Sequence, residues 1–294
     1  INDMSMVFIN KDSFNDDISD WDVSNVINMM GMFYGASSFN QNLSNWDLSN
    51  VTDISRMFEG AEEFNGDISS WNVSNVQDME MTFRMANLFN GDLSAWDVSS
   101  VNNMKLTFEN ASNFERDLSA WNVSNVSDMY GMFLRATNFN SDISNWDVSN
   151  VTNMSHLFYG CTNFDGNLSE WNVSNVLDMS RMFDVAINFN GDISGWNVSN
   201  VTRMDGMFWN AQSFNQDISD WDVLNVSDMF KMFLDAHSFN QDISNWNILN
   251  VVNMDEMFGG TQSLDDYYKC LIHLSFSSNE NWPYDWSDLC TFTP

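Results

Sequence analysis

Four aspartates that recur at one position of a repeating sequence are the residues best placed to hold an ion. Asp67, Asp92, Asp117 and Asp142 follow one another every 25 positions. If the repeats stack, neighbouring carboxylates lie about 4.8 Å apart, and at an effective dielectric of about 20 they repel each other by roughly 3.5 kcal/mol before salt screening. Either backbone N–H groups in Asx turns or bridging calcium ions would offset that repulsion. The sequence contains no EF-hand or nonapeptide calcium repeat, so Asx turns are favoured and calcium is the only cofactor considered.

A second group of polar residues alternates with apolar ones around a repeated tryptophan. In residues 19–23, Trp21 and Val23 alternate with Asp20 and Asp22, which predicts that the aspartates face outward from a short strand. Positions equivalent to Asp22 carry only Asp or Asn, which fits either a hydrogen-bonded ladder or a stripe that binds protein or glycan. Positions equivalent to Asp20 vary, as either a recognition surface or unconstrained exposed sites would. The candidate ligand-binding residues at these positions are Asp20, Asp22, Asn45, Asp47, Ser70, Asn72, Asp97, Asn122, Asn145, Asp147, Glu170, Asp220 and Asp222.

The residue types that usually perform catalysis form no recognisable active site in this sequence. His156, His237 and His273 stand singly, and there is no nucleophile elbow, phosphate-binding loop or metal-ligand cluster. A strictly periodic chain also offers no irregular copy in which a unique site would be built. The sequence therefore predicts a non-enzymatic protein without catalytic residues.

Tryptophan defines the length of the repeat. Ten tryptophans recur at intervals of 25 residues without an insertion, which indicates a solenoid of stacked, equivalent coils. They are Trp21, Trp46, Trp71, Trp96, Trp121, Trp146, Trp171, Trp196, Trp221 and Trp246. We divide the chain into a partial N-terminal repeat at residues 1–13, ten repeats at 14–263 and a C-terminal cap at 264–294. Because Ile1 begins in the middle of a repeat, we expect further repeats, a cap or another subunit at that end.

Two hydrophobic periods within one repeat predict a strand followed by a helix. Alternation marks the strand at residues 19–23. From Val26 onward, apolar residues at 26, 29, 33 and 36 follow the i, i+3, i+4 spacing of a helix. Ser24 and Asn25 precede it as N-cap candidates. The predicted fold class is an α/β solenoid resembling leucine-rich repeats, with one short parallel strand and one short helix in each repeat.

The charge of the chain restricts its partners. Asp and Glu outnumber Lys and Arg by 41 to 10, for a formal net charge of −31, which argues against nucleic acid and anionic lipid surfaces. No stretch approaches the roughly 20 apolar residues of a membrane helix, so membrane insertion is not expected within this chain. No Lys or Arg falls on the predicted strand, so the sheet face is expected to be acidic or neutral.

The cysteines of the C-terminal segment could form a disulfide in an oxidising compartment. Cys161 takes a small apolar position where other repeats carry Ala. Cys270 and Cys290 both lie in the C-terminal segment, where a disulfide could join them.

The repeat frame resembles a known family. Residues 142–158, read as Asp-Ile-Ser-Asn-Trp-Asp-Val-Ser-Asn-Val-Thr-Asn-Met-Ser-His-Leu-Phe, are similar to the 25-residue repeat of BspA-like leucine-rich-repeat surface proteins. The resemblance covers about residues 1–263. It implies a leucine-rich-repeat-type solenoid, a secreted or cell-surface location, and adhesion to host proteins, other cells or matrix. The family shares no catalytic residue set that could be transferred.

We therefore expect a non-enzymatic extracellular or cell-surface protein that mediates adhesion, or binds protein or glycan, through its acidic sheet face. The alternative is a structural subunit of an extracellular filament, sheath or cell coat that assembles by stacking of solenoids. The expected partners are a protein or glycan on a cell surface or matrix, or further copies of the chain.

Overall fold

The computed structural model describes residues 1–290, and the chain forms a stack of equivalent coils followed by a cap. Parallel single-residue bridges join each coil to the next along the whole stack, from Asp3 with Asn28 to Asp228 with Asn253. Within the described residues, regular helix is confined to the cap, as α1 (Asp266–Phe276) and a short 3-10 helix (Ser287–Leu289). The solenoid that the sequence predicts is therefore present, but it is built mainly from turns.

Most backbone hydrogen bonds between coils lie in residues 28–35 and the equivalent residues of the other repeats, which we call the ladder segment. The N–H groups of Met29, Gly31, Phe33 and Gly35 donate to the carbonyl oxygens of the next coil at 2.9, 2.8, 2.9 and 2.7 Å. Each donor bonds an acceptor 24 positions further along the chain, as in Phe33 to Met57. The ladder segment thus pairs in parallel without forming a continuous strand.

The helix predicted from Val26 onward is wrong. Residues 29–32 and 33–36 form two successive turns, closed by Met32 N–H to Met29 oxygen at 3.1 Å and Ala36 N–H to Phe33 oxygen at 3.0 Å. The third residue of each turn has a positive φ, 58° at Gly31 and 68° at Gly35, as type II turns require. Successive four-residue turns also return apolar residues to the same side every three or four positions, which is why the spacing resembled a helix.

The strand predicted at residues 19–23 is also wrong. Turns flank Trp21-Asp22-Val23, because the Trp21 N–H bonds the Ile18 oxygen at 3.1 Å and the Val26 N–H bonds the Val23 oxygen at 2.9 Å. The parallel bridges lie at the position of Asn28 instead. The predicted alternation nevertheless holds in the array, since Trp46 is 3% exposed while Asp47 faces solvent.

The core consists of continuous ladders of like side chains. Phe33 and Phe58 stack with ring centroids 5.4 Å apart, and Trp71 and Trp96 stack at 6.0 Å. The indole N–H of Trp71 also donates to the carbonyl oxygen of Leu43 in the preceding coil, at 2.9 Å. Stacked aromatic rings and the hydrogen bonds of the indoles together fix the spacing of the coils.

The C-terminal cap covers the last coil. α1 begins after the N-cap residue Asp265, whose side chain accepts the N–H of Tyr268 at 2.8 Å. A disulfide joins Cys270 to Cys290, whose Cα atoms lie 5.1 Å apart. The Tyr284 hydroxyl oxygen accepts the N–H of Phe258 at 2.8 Å. That N–H would bond a carbonyl oxygen of a further coil if the stack continued, so the cap replaces the missing acceptor.

Candidate functional site

All the candidate ligand-binding residues at positions equivalent to Asp20 and Asp22 are exposed. We call these two positions, taken over the ten repeats, the acidic face. The position of Asp20 lies within the turn that the Trp21 N–H closes, and that of Asp22 lies between this turn and the next, so equivalent residues form rows along the stack. The structure thus brings the predicted residues onto one surface, although that surface is not the face of a sheet.

Asx turns shape the row equivalent to Asp22. The Oδ1 atom of Asp22 accepts the backbone N–H of Ser24 at 3.1 Å and its hydroxyl at 2.6 Å. Asn72 makes the same pair of bonds to Ser74, at 3.2 and 2.7 Å. Within the described residues these hydrogen bonds run inside each coil, so the Asp–Asn ladder that we considered along this row is replaced by a series of turns.

The row that suggested calcium makes the same kind of turn. The Oδ1 atoms of Asp67, Asp92, Asp117 and Asp142 accept the N–H of the serine two positions later, at 3.0, 3.0, 2.8 and 3.0 Å. These bonds supply the compensation that neighbouring carboxylates need. Residues 1–290 contain no cluster of three or more His, Cys, Asp or Glu side chains arranged to hold a metal ion. Calcium binding along this row stays the untested alternative.

Hydrogen bonds lower the pKa values of four carboxyls in the row equivalent to Asp22. The hydroxyl of Ser24, followed by its backbone N–H, holds the pKa of Asp22 below its usual value. The serines at positions 49, 99 and 149 lower the pKa values of Asp47, Asp97 and Asp147 in the same way. Since Lys and Arg are absent from both rows of the sequence, the face presents uncompensated negative charge at neutral pH.

The ladder segment on the other side of each coil carries ion pairs that sequence reasoning missed. Glu59 is 3% exposed and its carboxylate accepts a hydrogen bond from Arg84, one coil away, at 2.7 Å. Asp184 is 2% exposed and lies 3.6 Å from Arg181. Burial raises the pKa of Asp184 to about 7, although Arg181 partly opposes the shift. Some carboxylates of the ladder segment are therefore paired with cations, whereas the two rows of the acidic face contain no Lys or Arg.

Histidine contributes no catalytic arrangement in this region. His156 lies in the ladder segment with a partly buried ring, and burial lowers its pKa. Its Nδ1 atom is buried without a hydrogen-bond partner among the described residues.

The chain has limited similarity to solved structures. One is described as a crystal structure of a TLR13–ssRNA13 complex, with 12% identity over 82% of this chain and 45% of that chain, at a TM-score of 0.25. Another is the plant peptide hormone receptor RGFR1 in complex with RGF2, with 10% identity over 84% and 48%, at a TM-score of 0.24. The chain spans less than half of either structure, and TM-scores this low do not assign their fold to it.

No curated protein sequence matches the chain. Among residues 1–290 no helix is both long and apolar enough to cross a membrane. The model of one family, described as "Mycoplasma protein of unknown function, DUF285", matches residues 1–96, 78–187 and 154–269. Since these matches cover most of the stack of coils, the chain belongs to the DUF285 family.

Proposed function

We propose that the chain is a non-enzymatic binding module that recognises a protein or glycan on a cell surface or matrix through its acidic face. The observation that carries this proposal is the row of exposed Asx-turn carboxylates, which are held in fixed positions with no cation beside them in either row. Preorganised charge of one sign attracts and orients a partner of the opposite sign. A basic patch on a protein is therefore the favoured partner.

Variation on a constant backbone supports the same function. The row equivalent to Asp20 includes Asn45, Ser70, Glu170 and Gly195 on coils of the same architecture. A Cβ atom added to Gly195 would meet no heavy atom within 4 Å. Side chains in this row can therefore change without disturbing the core, which is what selection for different ligands needs.

An extracellular or cell-surface location agrees with the cysteines. The Cys270–Cys290 disulfide requires an oxidising environment to persist. Such a compartment is also where a cell-surface ligand would be encountered.

Removal of charge from the acidic face tests the proposal. Asp97→Asn with Asp147→Asn keeps the Asx turns, since Asn72 and Asn122 make the same bonds at 3.2 and 3.1 Å. We expect this double variant to bind basic proteins several-fold more weakly at low ionic strength and to melt at the wild-type temperature. A panel of basic proteins and a glycan array provide the probes.

The matched control removes the same number of charges elsewhere. Glu62→Gln with Glu63→Gln changes two exposed carboxylates outside the acidic face, and binding should remain near the wild-type level. Equal binding by both double variants would reject the assignment.

The second candidate function is a structural subunit that assembles through stacked solenoids. It is motivated by the repetition of one coil with nearly constant spacing, such as 5.4 Å between Phe33 and Phe58 and 5.6 Å between Phe233 and Phe258. Electron microscopy and sedimentation velocity test this function. Monomers over a wide concentration range would eliminate it.

A further inference from the structure

The last two coils depart from the repeat at one exposed position. The position equivalent to Ser24 carries serine in the first eight repeats and leucine in the last two, as Leu224 and Leu249. Leu224 is 37% exposed and Leu249 is 78% exposed. Large apolar side chains therefore stand on the surface where the earlier coils present hydroxyl groups.

The coil itself does not require these leucines. The N–H of Leu224 donates to Asp222 Oδ1 and that of Leu249 to Asn247 Oδ1, both at 3.2 Å. The same backbone bond is made by Ser24 in the first repeat. The serine hydroxyl that bonds Asp22 at 2.6 Å has no counterpart in leucine. The exchange thus gives up a hydrogen bond and exposes apolar area without contributing to the core.

Leu249 also borders two adjoining grooves between the last coil and the cap. One has a volume of about 350 Å³ and is lined by Trp246 and Ile248 on the coil and Ser275 on α1. The other has a volume of about 440 Å³ and is lined by Val252 and Glu280. Both volumes fall in the range of roughly 300–1,000 Å³ that is typical of ligand sites.

Hydrogen bonds from the cap fix the wall shared by the two grooves. The side-chain amide of Asn279 donates to the carbonyl oxygens of Ile248 and Val251, at 2.7 and 3.0 Å. Asn279 lines both grooves. The apolar border is extended by Val252, which lines the second groove and is 66% exposed. The region is a preformed recess with an apolar border.

The charge around the grooves indicates which kind of polypeptide segment would bind there. Glu280 lines the second groove, and the nearest carboxylates of the acidic face, Asp220 and Asp222, belong to the coil before the last one. The residues that line the two grooves include no Lys or Arg. An apolar border beside uncompensated negative charge complements a segment that carries both apolar and basic side chains.

We propose that the grooves between the last coil and the cap are the docking site for a partner polypeptide segment in which leucine-like side chains lie next to lysine or arginine. This inference rests on the proposed binding function and specifies which side chains the partner carries. The apolar side chains would pack against Leu224 and Leu249 while the basic ones reach the acidic face.

Restoring the serines of the other repeats provides the test. Leu224→Ser with Leu249→Ser should leave the melting temperature unchanged, because serine occupies this position in eight coils. The probes are two fluorescent nine-residue peptides of equal positive charge, one alternating lysine with leucine and the other alternating lysine with serine. We expect the wild-type chain to bind the leucine peptide at least tenfold more tightly than the serine peptide, and the double variant to lose that preference.

A matched control separates the grooves from exposed apolar residues in general. Leu177→Thr removes a leucine that is 49% exposed but lies in the middle of the stack, and it should keep the preference. Asp220→Asn with Asp222→Asn, on the coil next to the grooves, should weaken both peptides equally and leave the leucine preference intact, which separates the apolar contacts from the charge of the acidic face. A leucine preference retained by Leu224→Ser with Leu249→Ser would overturn the proposal. Concentration-dependent dimers abolished by that variant would also overturn it, because the occupant would then be a second copy of the chain.

Discussion

The carbonyl oxygen of Leu43 accepts two hydrogen bonds, one from the backbone N–H of Trp46 in its own coil at 3.0 Å and one from the indole N–H of Trp71 in the next coil at 2.9 Å. The same pair of bonds recurs along the stack, for instance at Leu93 with Trp96 and Trp121. One oxygen therefore closes a turn and connects neighbouring coils. From Trp46 to Trp246, each repeat tryptophan fills the core and fixes the position of its coil on the one before it.

Replacing one of these indoles should weaken the stack. For Trp71→Phe we expect a loss of about 1–3 kcal/mol in the free energy of unfolding, from a missing hydrogen bond and incomplete filling of the core. Urea unfolding followed by circular dichroism measures it. Trp21→Phe is the control, because Trp21 is 41% exposed and should lose less. Equal losses at both positions would contradict the role given to the buried indole.

The turns of the ladder segment predict an unusual stabilising substitution. Val185 has a φ of 57°, a conformation in which a β-branched residue is strained. Val185→Asn should raise the free energy of unfolding by about 1 kcal/mol, because asparagine tolerates positive φ. Thermal and urea unfolding would show the gain.

The reverse substitution provides the comparison. Gly60 has a φ of 71°, and a Cβ atom there would come no closer than 3.6 Å to a heavy atom of Gly35. Gly60→Val should therefore lower the free energy of unfolding by about 1–2 kcal/mol through backbone strain alone. A neutral result for both variants would show that these turns relax easily.

The buried carboxyl of Asp184 predicts a pH dependence. Its pKa in the folded chain, about 7, lies above its value in the unfolded chain, so between about pH 4 and 7 the folded state binds more protons. This group should therefore lower the free energy of unfolding as the pH rises through that window. Asp184→Asn should remove that component, and the difference between variant and wild type, measured by urea unfolding at pH 4.5, 6 and 7.5, should grow with pH. A difference in the free energy of unfolding between variant and wild type that stays constant with pH would exclude a contribution from Asp184.

The cap disulfide should stabilise the end of the stack. It closes a segment with a sequence separation of 20 residues, and loss of such a cross-link costs about 3 kcal/mol in the chain-entropy model. We expect Cys270→Ser with Cys290→Ser to lower the melting temperature, and a reductant to lower it for the native chain. Cys161→Ala is the control, since most other repeats carry alanine at that buried position. This control should melt near the wild-type temperature and respond to the reductant in the same way.

Calcium can be tested independently of any ligand. Because Asp67 and Asp92 already accept backbone N–H groups at 3.0 Å, we expect the melting temperature to be the same in calcium and in chelator. Differential scanning calorimetry makes the comparison. A rise in calcium that Asp92→Asn reduces would establish an ion ladder.

The sequence predicted the stack more completely than it predicted the coil. The spacing of Trp71 and Trp96 was sufficient to place their rings against each other, and alternation around Trp46 was sufficient to expose Asp47. The helix failed because apolar spacing does not distinguish helical turns from successive type II turns. Gly31 and Gly35 were the available signal, since glycine adopts positive φ without strain.

The buried charges could not be predicted from one repeat alone. Glu59 is buried because Arg84 of the next coil reaches it, so its burial depends on which residues two different copies carry at neighbouring positions. The leucines beside the cap were visible in the sequence as departures from serine. The grooves beside these leucines could not be predicted, because they form only when α1 and the residues after it fold back onto the last coil.

Hydrogen bonds that connect neighbouring coils at the same sequence offsets in each repeat, such as 24 positions in the ladder segment, make the stack modular in length. Excising a block of 25 residues would bring together two coils whose donors and acceptors already match, whereas excising any other number would misalign every ladder at the junction. The size of the exposed surface can therefore change in whole steps while the interior stays the same. The length of the stack, rather than the shape of its coils, is therefore the property that this architecture can change most easily.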